Sequence, residues 1–198
     1  MIETMRAPVY GKRNLVLMAI LVAAFTGTNL WLNRDVPPLG YIEFSNFGFS
    51  ISHPQDMYIS TGAFIGGYPS RESGQLQGTR EDVGMEQFGV FWATEGLPTE
   101  LESSLDFVFE MVAEQNSEDF LQSRDPFETL AKDDHEVVYQ TFEVKDMVVI
   151  PGVIGAWNCE GKTYILYMAK LPDLSNPEIR PTDLEPKWRT YLDSFKCH

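Results

Sequence analysis

The stretch Gly155–Lys170, GAWNCEGKTYILYMAK, decides how the rest of the chain is read. Glu160-Gly161 separates two runs rich in aromatic and branched residues, the pattern of two strands joined by a tight turn. The second run, Tyr164-Ile165-Leu166-Tyr167-Met168, is apolar at every position. A strand of that kind has both faces covered, so it belongs in the middle of a sheet with material above and below it.

Working outward, the preceding runs FETLAKDD and HEVVYQTFEVKD read as two more strands about an Asp133-Asp134 turn. Val138, Gln140, Phe142 and Val144 share one side of the second, and Val137, Tyr139, Thr141 and Glu143 share the other. Further back, GMEQFGVFWA places Phe88, Val90 and Trp92 on one face of a strand. YIEFSNFGFSISHP, residues 41–54, alternates around Asn46 and Gly48 as one strand or a tight hairpin. Residues 60–80 hold five glycines and a proline and read as a long loop, with a short strand near Phe64.

Two segments change period. In LPTELESSLDFVFEMVAEQN, Leu101, Leu105, Val108, Phe109 and Val112 recur at helical spacing, Thr99 and Glu102 have capping-box spacing, and Asn116 suits the stop. After the proline-rich DLSNPEIRPTDLEPK, Leu184, Trp188, Leu192 and Phe195 line a second helix for which Asp183 is the expected N-cap. Antiparallel strands plus two one-faced helices predict an α+β fold, a sheet flanked by helices, over residues 41–198.

The N-terminal part has a different character. Asn14–Leu32, NLVLMAILVAAFTGTNLWL, carries no charge over 19 positions, close to the roughly 20 residues that cross a hydrocarbon core of about 30 Å. Arg6, Lys12 and Arg13 precede it, whereas Arg34 and Asp35 nearly cancel after it. The positive-inside rule then puts residues 1–13 in the cytoplasm, 14–32 across the cell membrane as a single-pass helix, 33–40 as a Pro37-Pro38 linker, and 41–198 outside. A cleaved leader is the alternative, with Val22-Ala23-Ala24 as a passable cleavage site. Both readings export the domain. Ala19, Ala23 and Gly27 would form a small-residue face for packing against another transmembrane helix.

Charge narrows the partners. Residues 1–32 hold three of the 15 Lys and Arg and one of the 29 Asp and Glu, which leaves the exported part with 12 and 28, a net charge of −16. Such a surface repels phosphate backbones, so nucleic acid is excluded as a partner.

The chain has two cysteines, Cys159 and Cys197. Outside the cytoplasm they allow a single intramolecular bridge. Closing that loop contributes about 3–4 kcal/mol through chain entropy and pins the C-terminal helix. Free or intermolecular thiols, or a metal site using Cys197 and His198, are the alternatives. His53 and His135 stand isolated in the sequence.

These core patterns resemble those of the PsbP-like family, whose wider group includes a similar nuclear-transport regulator fold. The stretches concerned are NFGFSISHP, EQFGVFWA with the helix after it, WNCEGKTYILYMA, and the ending WRTYLDSFKCH. The resemblance implies an α-β-α sandwich and, as in the photosynthetic members, an extrinsic accessory subunit on a membrane complex. The apolar N-terminal segment and the acidic loops depart from it.

No GxSxG, HExxH, phosphate loop or GxGxxG occurs, and no cofactor is expected. Asp133, Asp134 and Glu136, beside His135, are candidate oxygen ligands for a hard cation, as are Glu81, Asp82 and Glu86. Their spacing is not that of an EF-hand, and a solvated turn is the simpler reading of each group. Three functions follow as expectations: a non-catalytic accessory or assembly subunit of a membrane protein complex, a solute- or cation-binding surface domain, or an enzyme whose residues the sequence does not reveal.

Overall fold

The computed structural model describes residues 40–65, 67–80, 85–114, 121–145, 148–172 and 178–198. The expected anchor 14–32 with Ala19, Ala23 and Gly27, nearly all of the linker, the Glu81-Asp82 pair and Asn116 lie outside them. Among the described residues no helix is long and apolar enough to cross a membrane.

The strands are β1 Tyr41–Asn46, β2 Phe49–Pro54, β3 Tyr58–Gly62, β4 Ser73–Arg80, β5 Glu86–Ala93, β6 Leu121–Arg124, β7 Glu128–Lys132, β8 His135–Lys145, β9 Val149–Cys159, β10 Lys162–Lys170 and β11 Lys196–Cys197. The helices are α1 Leu101–Glu114 and α2 Pro181–Ser194. One antiparallel sheet runs β3-β4-β5-β10-β9-β8, and β6 and β7 follow each other along the outer edge of β8. A second sheet is β1-β2-β11.

The hairpin that decides the fold turns at Glu160 (φ 52°) and Gly161 (φ 73°), the left-handed pair that a two-residue hairpin turn requires. β10 pairs with β9 on one side and β5 on the other, so it is central. One consequence is a row of rings, Trp92–Tyr164–Trp157, across three strands. All three are essentially inaccessible.

Both faces of the large sheet are covered. α2, β1 and β2 cover the face carrying Val90, Trp92, Val137, Tyr139, Trp157, Tyr164 and Leu166. α1 covers the other, where Leu105, Val108 and Phe109 meet Val138, Phe142, Ile154 and Ile165. Trp188 of α2 lies in the gap left by Gly155, where a Cβ would stand 2.6 Å from the indole, and its Nε1 donates to Leu166 O at 3.0 Å. Phe195 closes the far end, 4.8 Å from Trp157, 4.9 Å from Tyr164 and 5.2 Å from Phe49, ring centre to ring centre.

Two expectations need correction. Residues 60–80 are not one loop: β3 and β4 occupy much of the region, and Phe64 lies between them. Gly74 and Gly78 are strand residues beneath the Trp92 and Phe88 rings, where a Cβ would come within 2.4 and 2.1 Å. Asp183 is not the N-cap; the helix begins at Pro181, and the Asp183 carboxylate accepts from the Arg180 N–H at 2.9 Å. FETLAKDD forms the expected strand β7, and a further strand, β6, precedes it, broken off at Pro126, which cannot donate to the ladder. Pairing resumes around it, with Asp125 N–H donating to Thr141 O at 3.1 Å.

Candidate functional site

β9 ends at Cys159 and β11 at Cys197, and the ladders that hold them are separate. Cys159 pairs with Lys162 across the hairpin, while Cys197 pairs with Phe49 of β2. The two Cα atoms are 6.4 Å apart and the sulfurs stand at disulfide distance, which ties the small sheet to the large one. Cys159 is 5% exposed and Cys197 is half-buried.

His135 opens β8 just after the Asp133-Asp134 turn. β8 pairs with β9 from Val138 opposite Ala156, and continuing that register three steps puts His135 opposite Cys159. A donor atom of His135 and both sulfurs consequently lie within 4.8 Å of one another. Among the described residues this is the set of three ligand-type side chains drawn together. Its residues line a recess of about 450 Å³ bordered by Asp133, Glu160 and Lys196.

The other candidate ligands are placed differently. Asp133, Asp134 and Glu136 are exposed and do not form such a set, and Asp133 instead accepts from Lys132 Nζ at 2.8 Å. That hydrogen bond, with the lysine charge, holds the Asp133 carboxyl below its usual range. His198 also lines the recess but is not part of the set: its Nε2 is 3.1 Å from Ser50 Oγ and its backbone N–H donates to Gly48 O at 2.9 Å. His53 is buried, with Nδ1 2.9 Å from Pro54 O and its ring stacked on Phe88. Glu86 is 2% exposed and meets Lys187 Nζ and the Tyr191 hydroxyl, which donates at 3.2 Å. Burial, then the neighbouring Glu86 charge, raises the Tyr191 phenol well above its ordinary range. Tyr139 donates to Glu128 at 2.7 Å and accepts from Arg189 at 3.0 Å, and burial raises it in the same sense. These groups seat α2 on the sheet.

Sequence reasoning missed His135. It is isolated along the chain, and only the β8–β9 register brings it to Cys159.

A second concavity lies on the opposite face. α1 contacts β8 and β9, and beyond it opens a cavity of about 460 Å³. Phe91, Phe142 and Ile154 form its apolar part, and Gln75, Gln77 and Gln87 bring amides to it. Such a mix of apolar lining and a few polar groups suits a small organic solute.

No protein-family model matches the chain, and no curated protein matches it. Among solved structures it is similar to cyanobacterial PsbP (CyanoP) from Synechocystis, with TM-score 0.58 and 13% identity, covering 83% of this chain and 96% of that one. A protein of unknown function from Pseudomonas aeruginosa aligns over 78% of this chain and 94% of its own, at 11% identity and TM-score 0.40. The first likeness is one of fold: residues 40–198 have a PsbP-like α+β architecture. The second is too distant to carry an argument.

Proposed function

We propose that the chain is a membrane-anchored, extracytoplasmic accessory or assembly subunit of a membrane protein complex and that it acts without catalysis. In this reading residues 14–32 span the membrane with the N-terminus in the cytoplasm, and residues 41–198 stand outside as the docking domain. The observation that carries it is the PsbP-like fold, which the family resemblance associates with extrinsic subunits of membrane complexes. The uncharged 19-residue segment supports the anchor. The net charge of −16 on the rest supports docking on a basic surface of the partner rather than on anionic lipid or nucleic acid. Purification from native membranes in mild detergent tests the reading. A membrane protein recovered in fixed stoichiometry supports it; a lone, monodisperse chain overturns it.

The cavity beside α1 favours a second reading, a solute-binding surface domain. That reading expects a small molecule to come with the purified chain and to be lost from Phe91→Ala. A chain that carries no such molecule from its native source counts against it.

A further inference from the structure

We propose that Cys159, Cys197 and His135 form a redox-gated site for a thiophilic divalent cation of the zinc type, closed while the cysteines are bridged and ligating once a dithiol opens the bridge. Three observations point there. The donor atoms already lie within 4.8 Å of one another, and they come from three elements, β8, β9 and β11. Each element is held by its own strand pairing, so opening the bridge leaves the three backbones adjacent. The recess of about 450 Å³ gives a reductant and a metal ion access to the half-buried Cys197 and His135.

The geometry is within reach. Zinc–sulfur bonds of about 2.3 Å at a tetrahedral angle place two thiolates about 3.7 Å apart, with the imidazole nitrogen at about 2.0–2.1 Å from the metal. Rotation of two cysteine side chains whose Cα atoms are 6.4 Å apart opens the sulfurs to that distance. Three protein ligands leave the fourth position to water. Two thiolates and an imidazole select zinc-type ions over calcium or magnesium, for which the same recess offers only the exposed rim carboxylates Asp133 and Glu160.

The chemistry balances. A dithiol attacks the bridge through a mixed disulfide, gives two electrons and two protons to the cysteine sulfurs, and leaves as its own disulfide. Metal binding then displaces the two thiol protons, so affinity rises with pH.

The test uses the full chain in detergent, oxidised or reduced with dithiothreitol and desalted without oxygen, titrated with Zn²⁺ and with Co²⁺. The expected result is one Zn²⁺ per reduced chain, none per oxidised chain, and a thiolate-to-cobalt absorption band on adding Co²⁺. His135→Ala weakens Zn²⁺ binding by at least ~10-fold, since loss even of a group supporting a ligand costs roughly 10–100-fold. Should reduction loosen the C-terminus, Zn²⁺ restores the slow amide exchange of residues 196–198 seen in the oxidised form, and this also supports the proposal. Failure of the reduced chain to take up Zn²⁺, folded or not, overturns it. So does equal Zn²⁺ uptake by the oxidised chain, or undiminished affinity in His135→Ala.

Discussion

Replacing both cysteines, Cys159→Ala with Cys197→Ala, isolates what the bridge does for the fold. The sequence separation is 38, so the closed loop has 39 residues. The chain-entropy relation gives about 4 kcal/mol for such a loop near room temperature. For a domain of this size each kcal/mol moves the melting temperature by about 2–4 °C, so the variant melts roughly 8–16 °C lower. The loss is uneven. β11 is a short strand held by the pairs Lys196–Ser50 and Cys197–Phe49 and by the His198 N–H to Gly48 O, whereas α2 keeps Leu184, Trp188, Tyr191 and Leu192 in the core. Amide exchange therefore accelerates first at residues 196–198, while amides of β9 and β10 keep their protection. Calorimetry and exchange mass spectrometry on wild type and variant are the assays. A melting temperature within about 2 °C of wild type, with unchanged exchange at the C-terminus, refutes the reasoning.

Gly155→Ala drives a methyl into Trp188, 2.6 Å away, and Tyr139 Cβ, 3.0 Å away. It should cost about 1–3 kcal/mol, read as a lower urea midpoint; an unchanged midpoint means the indole can yield. Tyr164 is fully buried, its hydroxyl has no hydrogen-bond partner among the described residues, and burial pushes its phenol up to about 12. A raised folded value means stability is intact below pH ~10 and falls as pH rises towards ~12, by roughly 3 kcal/mol from this group. Tyr164→Phe should thus be neutral or stabilising at pH 7 and should flatten the alkaline loss; an equally steep loss in the variant contradicts the assignment. If Ala19, Ala23 and Gly27 pack against a partner helix, Ala23→Leu should release the chain from its complex without preventing insertion, and undiminished co-purification rules that face out.

What was legible in the sequence was periodicity. The Glu160-Gly161 hairpin, the central β10, the two sides of β8 and both helices follow from local pattern, because each face meets one layer of the sandwich. Glycine was the main source of error. In β4 it reads as a loop residue, yet Gly74 and Gly78 are small so that Trp92 and Phe88 of the next strand can lie over them, and a ring on a neighbouring strand leaves no local trace. β11 was invisible for a similar reason: two residues become a strand only because β2 is beside them. The carboxylates of the Asp133 turn drew attention as ligands, but chain neighbours on a tight turn splay into solvent. His135, one residue further, meets the cysteines through register rather than proximity in sequence.

Cross-linking in intact membranes tests the central claim most directly. An amine-reactive reagent applied to native membranes, followed by mass mapping, reads which protein lies against the exposed Lys145 and Lys196 of the domain. The account predicts reproducible links from these lysines to the extracytoplasmic face of an integral membrane protein, lost when the N-terminal segment is removed and the domain is exported free. Links confined to the chain itself, or links to the same partner that persist undiminished without residues 1–39, contradict it.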